Sequence, residues 1–313
     1  MRNWGAQSST DYVFAIARRL RTSQNTLLLV MAIILGVATG LAIWLFREAI
    51  TFFSEFTSAL QGVSAPIFGP LGGVIILALA GAVVGWIMQR FVGEERHHGV
   101  AGVMESVALA GGRLPYEKMP FKAVASALSL GAGASVGPED PSVQIGSNLG
   151  SFLGHVLKIN EDMVRLLVAA GAASAVSAAF GAPIAGVFFA IEVVLNGAFE
   201  TRSFGIIVLA SVMASAVMQA IESAPEMGPF NYALSTPLEI PLFIPMAVII
   251  AGVSILFVRS LRWQHDLWHH YVHLPRPART ALAGALVGLI GIFLPQILGI
   301  GRETMRDVLS GEA

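Results

Sequence analysis

The 313-residue chain contains no cysteine. That excludes disulfides, thiolate metal sites and cysteine nucleophiles. Charge is nearly as scarce. Asp, Glu, Lys and Arg make up 12% of the residues and cancel to a net charge of −1, so the basic surface that nucleic acid requires is missing. Histidines are few, and the adjacent pair His97-His98 lacks the spacing of a ligand set, so no metal site is expected. No sequence feature calls for a cofactor.

What remains is apolar. The chain is 55% hydrophobic, with mean hydropathy +0.72, outside the range of soluble domains. Uncharged runs cover Leu27–Phe46, Ser64–Gln89, Ala123–Gly137, Leu166–Ile191, Ser203–Ile221, Ile240–Val258 and Thr280–Gly301. Several reach the roughly 20 residues that span a bilayer as a helix. The first run starts near residue 26 without a signal-peptidase-like site, and is expected to be retained. The expected class is an all-α, polytopic membrane protein in a cell (inner) membrane. Arg2, Arg18, Arg19 and Arg21 against Asp11 place the N-terminal segment in the cytoplasm; the uncharged stretch around Leu60–Ala65 is expected outside, and Arg90 and Arg96 inside again.

Small residues recur at helical spacing: Gly36 and Gly40, Gly81 and Gly85, Gly284 and Gly288, and the stripe Gly146, Gly150, Gly154. Such spacing lets backbones approach closely where lipid offers no hydrophobic drive. Ala169–Ala185 is nearly all small and reads as one helix packed on every side. The chain also echoes itself. Leu79-Ala80-Gly81-Ala82-Val83-Val84-Gly85 returns as Leu282-Ala283-Gly284-Ala285-Leu286-Val287-Gly288, and a charged, glycine-containing segment follows each. The expected organisation is a cytoplasmic segment over 1–24, a first membrane repeat over 25–230, and an incomplete second repeat over 231–313.

The chemistry concentrates in Gly137-Pro138-Glu139-Asp140-Pro141-Ser142-Val143-Gln144-Ile145-Gly146-Ser147-Asn148-Leu149-Gly150. It sets two carboxylates at the start of a short helix beginning near Pro141. Carboxylates at membrane depth are costly and mark ion or proton pathways, and a helix N-terminus offers its dipole and free N–H groups to an anion. Glu139 can occupy such a site itself, as a gate. Asp140, just before Pro141, suits a capping role.

This stretch resembles the signature G-R-E-G-P-T-V-Q-I-G-x-x-x-G of the ClC chloride channels and transporters. Ala172–Glu192 is similar to that family's G-x-x-A-A-F-x-A-P-x-A-G-x-x-F-x-x-E. The resemblance covers roughly residues 25 to 313. It implies inverted repeats of tilted and broken helices, a homodimer with one pore per subunit, and chloride or another small anion as the transported species. It matches Glu139 to the gating glutamate. Gly137, Pro138 and Asp140 fall in the anion-binding loop, where Pro138 and Asp140 replace the family's Arg and Gly. His98, Gly99 and Val100 fall at the family's central anion site, with His98 in place of a serine. Glu192-Val193 aligns with a Glu-Glu pair whose second member accepts the proton in antiporters; Val193 is the channel pattern. The resemblance therefore implies channel-like conduction with weak or no proton coupling, an anion/proton antiporter being the alternative. Gly291-Ile292-Phe293-Leu294-Pro295 spells the family's second pore motif but falls too early, and reads as part of a spanning helix. An unrelated alternative is Gly133-Ala134-Ser135-Val136-Gly137, a G-x-S-x-G pattern, with His155 as base in an intramembrane serine protease. That elbow requires a preceding strand, and non-enzymatic transport is the expected activity.

Overall fold

A computed structural model describes residues 24–93, 99–197, 201–222 and 236–310. Among these residues there is no strand. The helices are α1 (Gln24–Phe68), α2 (Leu71–Ile87), α3 (Gly99–Leu109), α4 (Met119–Gly131), α5 (Glu139–Val156), α6 (Glu161–Phe180), α7 (Pro183–Phe189), α8 (Thr201–Ile221), α9 (Phe243–Tyr271), α10 (Arg276–Phe293) and α11 (Arg302–Ser310). Among the described residues, six stretches are long and apolar enough to cross a membrane: Leu27–Phe68, Leu71–Val92, Glu161–Phe180, Ser203–Ile221, Glu239–Trp268 and Arg276–Phe293. The protein is an integral membrane protein.

The chain forms two compact units, each made of three segments. One comprises 24–52, 99–127 and 137–222 of the described residues. At its centre lies α6, where Leu167, Val168, Ala169, Ala170, Ala172, Ala173 and Ala175 are all fully buried. Small side chains allow this burial. A Cβ on Gly146 or Gly150 of α5 would strike the α6 carbonyls of Gly171 and Leu167, and one on Gly154 would meet Val164. The partners descend along α6 as the α5 numbers rise, so these helices run antiparallel. Gly36 and Gly40 of α1 pack likewise on the α8 carbonyls of Ala210 and Ala214. The glycine stripes are contact surfaces, as their spacing predicts.

Asn160 starts α6, its side chain accepting from the Met163 N–H at 3.0 Å. Gly181, left-handed at φ +65°, ends it. Ala182 breaks the axis, and Pro183 restarts it at the first turn of α7, where its missing N–H costs nothing. The single helix expected over Ala169–Ala185 is therefore two. The α7 helix passes into a π-helical turn, Ala190–Val194, closed by the Leu195 N–H on the Ala190 carbonyl at 2.9 Å. Helix α1 departs from expectation in the other direction. It runs past Arg47, Glu48 and Glu55, and past Leu60–Ala65, to a turn at Gly69. Arg47 is neutralised by Glu222 at 2.7 Å. At about 1.5 Å per residue α1 measures about 67 Å, twice a hydrocarbon layer of roughly 30 Å, and so tilts or projects beyond it.

The other unit comprises 53–93, 128–136 and 236–310 of the described residues. Its central contact is α2 against α10. A Cβ on Gly81 would meet Thr280 and one on Gly85 would meet Pro277; a Cβ on Gly284 would meet Leu77 and one on Gly288 would meet Val74. The partners fall as the numbers rise, so the helices are antiparallel. The contact is also reciprocal. Shifting by the 203 residues that separate the two copies of the echo turns Gly81·Thr280 into Gly284·Leu77, and Gly85·Pro277 into Gly288·Val74. Two equivalent helices meeting through the same surface is the mark of a two-fold axis. Since both helices are long enough to span, that axis lies across them, in the membrane plane. The internal echo is an inverted repeat at this pair. Gly291 and Phe293 belong to α10, which stops before Pro295.

Candidate functional site

The site is assembled by the first unit. The α5 helix begins at Glu139, two residues earlier than Pro141 suggests, with Pro138 as N-cap. Pro138 has no side-chain capping bond to offer, and its carbonyl accepts from the Ser142 N–H at 3.0 Å and the Ser142 hydroxyl at 2.7 Å. Glu139 and Asp140 thus occupy the first turn, where negative charge meets the positive end of the dipole. Both are exposed.

The two carboxylates face different partners. That of Glu139 folds back over Gly137, across the place a Cβ would take. That of Asp140 reaches the start of α3. Its Oδ1 accepts from the Val100 N–H at 2.7 Å, and its Oδ2 accepts from Gln144 Nε2 at 2.8 Å. Gln144 Oε1 in turn accepts from Lys122 Nζ at 3.5 Å. Gly99, at φ +72°, carries no side chain, and a Cβ there would collide with the Asp140 carboxylate. Glycine is required here on both counts. Asp140 does not cap its own helix; it caps its neighbour.

The structure thus brings Gly99, Val100 and Asp140 together, with Gly137, Pro138 and Glu139 the three residues immediately before Asp140 in the chain. Glu192 and Val193 lie on the π-helical turn, which packs against α3 and α6; Glu192 is exposed and Val193 half-buried. A π-turn re-aims side chains and is frequent at functional sites. His98 lies outside the described residues. Gln144 and Lys122 were not singled out from sequence. Gln144 had a signal, since i and i+4 share a helix face; Lys122 had none beyond being a cation in an apolar stretch. A cavity of about 310 Å³ opens beside them, with Gly99, Glu105, Arg113, Lys122 and Gln144 on its wall. The Ser135 elbow is not formed: helix α4, not a strand, precedes it. His155 packs its ring against Tyr116 instead, 5.6 Å between centroids.

Arranged this way, the residues can hold a monovalent anion with backbone N–H groups and expel it with a side-chain carboxylate. Comparisons with known proteins bear on the family. Residues 80–313 match the family model described as voltage gated chloride channel. A putative chloride channel protein ClcB-like from Ralstonia nicotianae is 28% identical over 289 residues, covering 90% of this chain and 67% of that one. The H(+)/Cl(-) exchange transporter ClcA of Salmonella paratyphi B is 35% identical over 182 residues, 56% of this chain and 38% of that one. Among solved structures, a slow cyanobacterial Cl-/H+ antiporter superposes with a TM-score of 0.77 at 25% identity, over 88% of this chain and 65% of that one. The chain spans between about a third and two thirds of the length of these relatives.

Proposed function

The chain belongs to the voltage-gated chloride channel family, and on that footing we propose that it carries chloride or another small anion across a lipid bilayer, gated by Glu139. The observation that carries this reading is the Glu139 carboxylate in the first turn of α5, over Gly137 and behind an N-cap with no capping side chain. An ionised carboxylate there competes with the permeant anion for the same dipole and N–H groups. Protonation, or exchange for an amide, removes the competitor. Gly99, Val100, Gly137 and Pro138 supply the backbone around the anion, and His98, when protonated, adds a charged donor. The deciding experiment is radioactive chloride uptake into proteoliposomes by the full-length protein and its Glu139→Gln variant. Uptake that rises in acid in the parent and rises far less in the variant supports the gate. Equal uptake and equal acid response in both overturns it.

Val193 supports passive conduction, because a side chain without a titratable group cannot relay a proton. A coupled exchange reading has its own support in the Salmonella exchanger and the cyanobacterial antiporter, both named for exchanging protons against chloride. A chloride gradient that drives protons uphill at fixed stoichiometry decides for exchange. Two further features of the proposal rest on family membership and on charge: assembly as a homodimer, and an N-terminus on the cytoplasmic side of the inner membrane, where Arg2, Arg18, Arg19 and Arg21 belong.

A further inference from the structure

The contact between Asp140 and α3 is more than a tie between helices. The α3 helix has no acidic residue in its first turn. Among the described residues, the anion it holds is the carboxylate of Asp140, forty residues later in the chain. The carboxylate is gripped from both ends: Val100 N–H holds Oδ1 and Gln144 holds Oδ2, with Lys122 behind Gln144. It presses against Gly99, where nothing larger than hydrogen fits. Among the described residues, Glu139 stands on the same turn, and Glu105 of α3, Lys122 of α4 and Arg113 line the cavity that also borders Gly99 and Gln144.

We propose that Asp140 is a built-in competitor for the transported anion, seated at the start of α3, so that the pathway carries two protein carboxylates in series: Glu139 over Gly137 and Asp140 on Val100. The inference rests on the anion-transport reading above and deepens it. One N–H cannot serve two anions. If the permeant ion binds at Gly99 and Val100, it must first displace Asp140. A tethered group faces its site at an effective concentration on the order of millimolar or above, so the free anion binds more weakly than at an unblocked helix end. Asp140 is exposed, and a displaced carboxylate returns to water rather than being stranded. The consequence is low anion affinity in the resting protein and fast release.

The test is chloride binding by titration calorimetry on the full-length protein in detergent, with thermal melting alongside, for the parent, Asp140→Asn, Asp140→Gly and Gln144→Leu. Removing the carboxylate in Asp140→Gly should lower the apparent Kd for chloride about tenfold or more. Asp140→Asn, which keeps an acceptor for Val100 but no charge, should lower it less. Gln144→Leu keeps the charge but loosens the grip, and should tighten chloride binding a few-fold; it decides the matter if the Asp140 variants do not fold. Unchanged or weaker chloride binding in folded variants would overturn the proposal and leave Asp140 as a structural link. In that case a far smaller acid response in Glu139→Gln still upholds the transport reading. If chloride binds to none of the forms, parent included, both fall.

Discussion

Glu139 and Asp140 are consecutive residues of one helical turn, yet one lies over the loop before the helix and the other reaches the start of a second helix. Different substitutions should therefore separate them. Glu139→Gln should raise chloride uptake at neutral pH and remove most of its acid activation. Asp140→Asn should keep an acid response, because the Glu139 carboxyl is still in place. Uptake traced against pH for both variants checks this. At Val193 the expectation is negative: Val193→Glu should not produce uphill proton movement, measured by a pH-sensitive dye, since a relay needs a chain of groups. How much of this was legible in advance depends on distance along the chain. Carboxylates inside an apolar protein stand out, and Gln144 is one turn from Asp140. Val100 is forty residues away, and nothing in the sequence pairs it with Asp140.

At the scale of elements the glycines make the firmest predictions. On Gly146 a side chain must displace the Gly171 carbonyl, so Gly146→Val should cost about 1–3 kcal/mol or more through overpacking of α5 on α6. A fall in detergent melting temperature checks it. Gly205 in α8 is the control: nothing lies within reach of a Cβ there, and Gly205→Ala should stabilise by about 0.5–1 kcal/mol, since alanine is the better helix former. Packing spacing was readable because it is local. Helix ends were not. The apolar run Leu166–Ile191 gives no sign that Gly181 takes a left-handed conformation, although Pro183 two residues on was a hint. The uncharged run Leu27–Phe46 gives way to Arg47 and Glu48. Helix α1 continues past them, and Arg47 pairs with Glu222, remote in sequence.

At the scale of the whole molecule, the echo between Leu79–Gly85 and Leu282–Gly288 became a packed pair with a two-fold relation. Sequence showed that the copies exist but not that they touch, because contact between distant segments is a property of the fold. The antiparallel pairing fixes sidedness. Phe68 and Leu294 should open on one face of the membrane, and Phe91 and Leu274 on the other; the Arg276 guanidinium, bonded to the Gly93 carbonyl at 2.6 Å, marks that second end. The cysteine-free chain is ready for the measurement. Single cysteines at those four exposed positions, treated with an impermeant maleimide on sealed vesicles, should label in these two pairs. Labelling of Phe68→Cys and Leu294→Cys from opposite faces would refute the antiparallel arrangement. The reciprocal contact also has a genetic consequence. In a pair of identical subunits every coding change lands on both sides of a two-fold contact at once, and any harm is doubled. With both sides written in one reading frame, each is altered alone. The two sides can then diverge by single tolerated steps, as they already have where Gly85 faces Pro277 and Gly288 faces Val74.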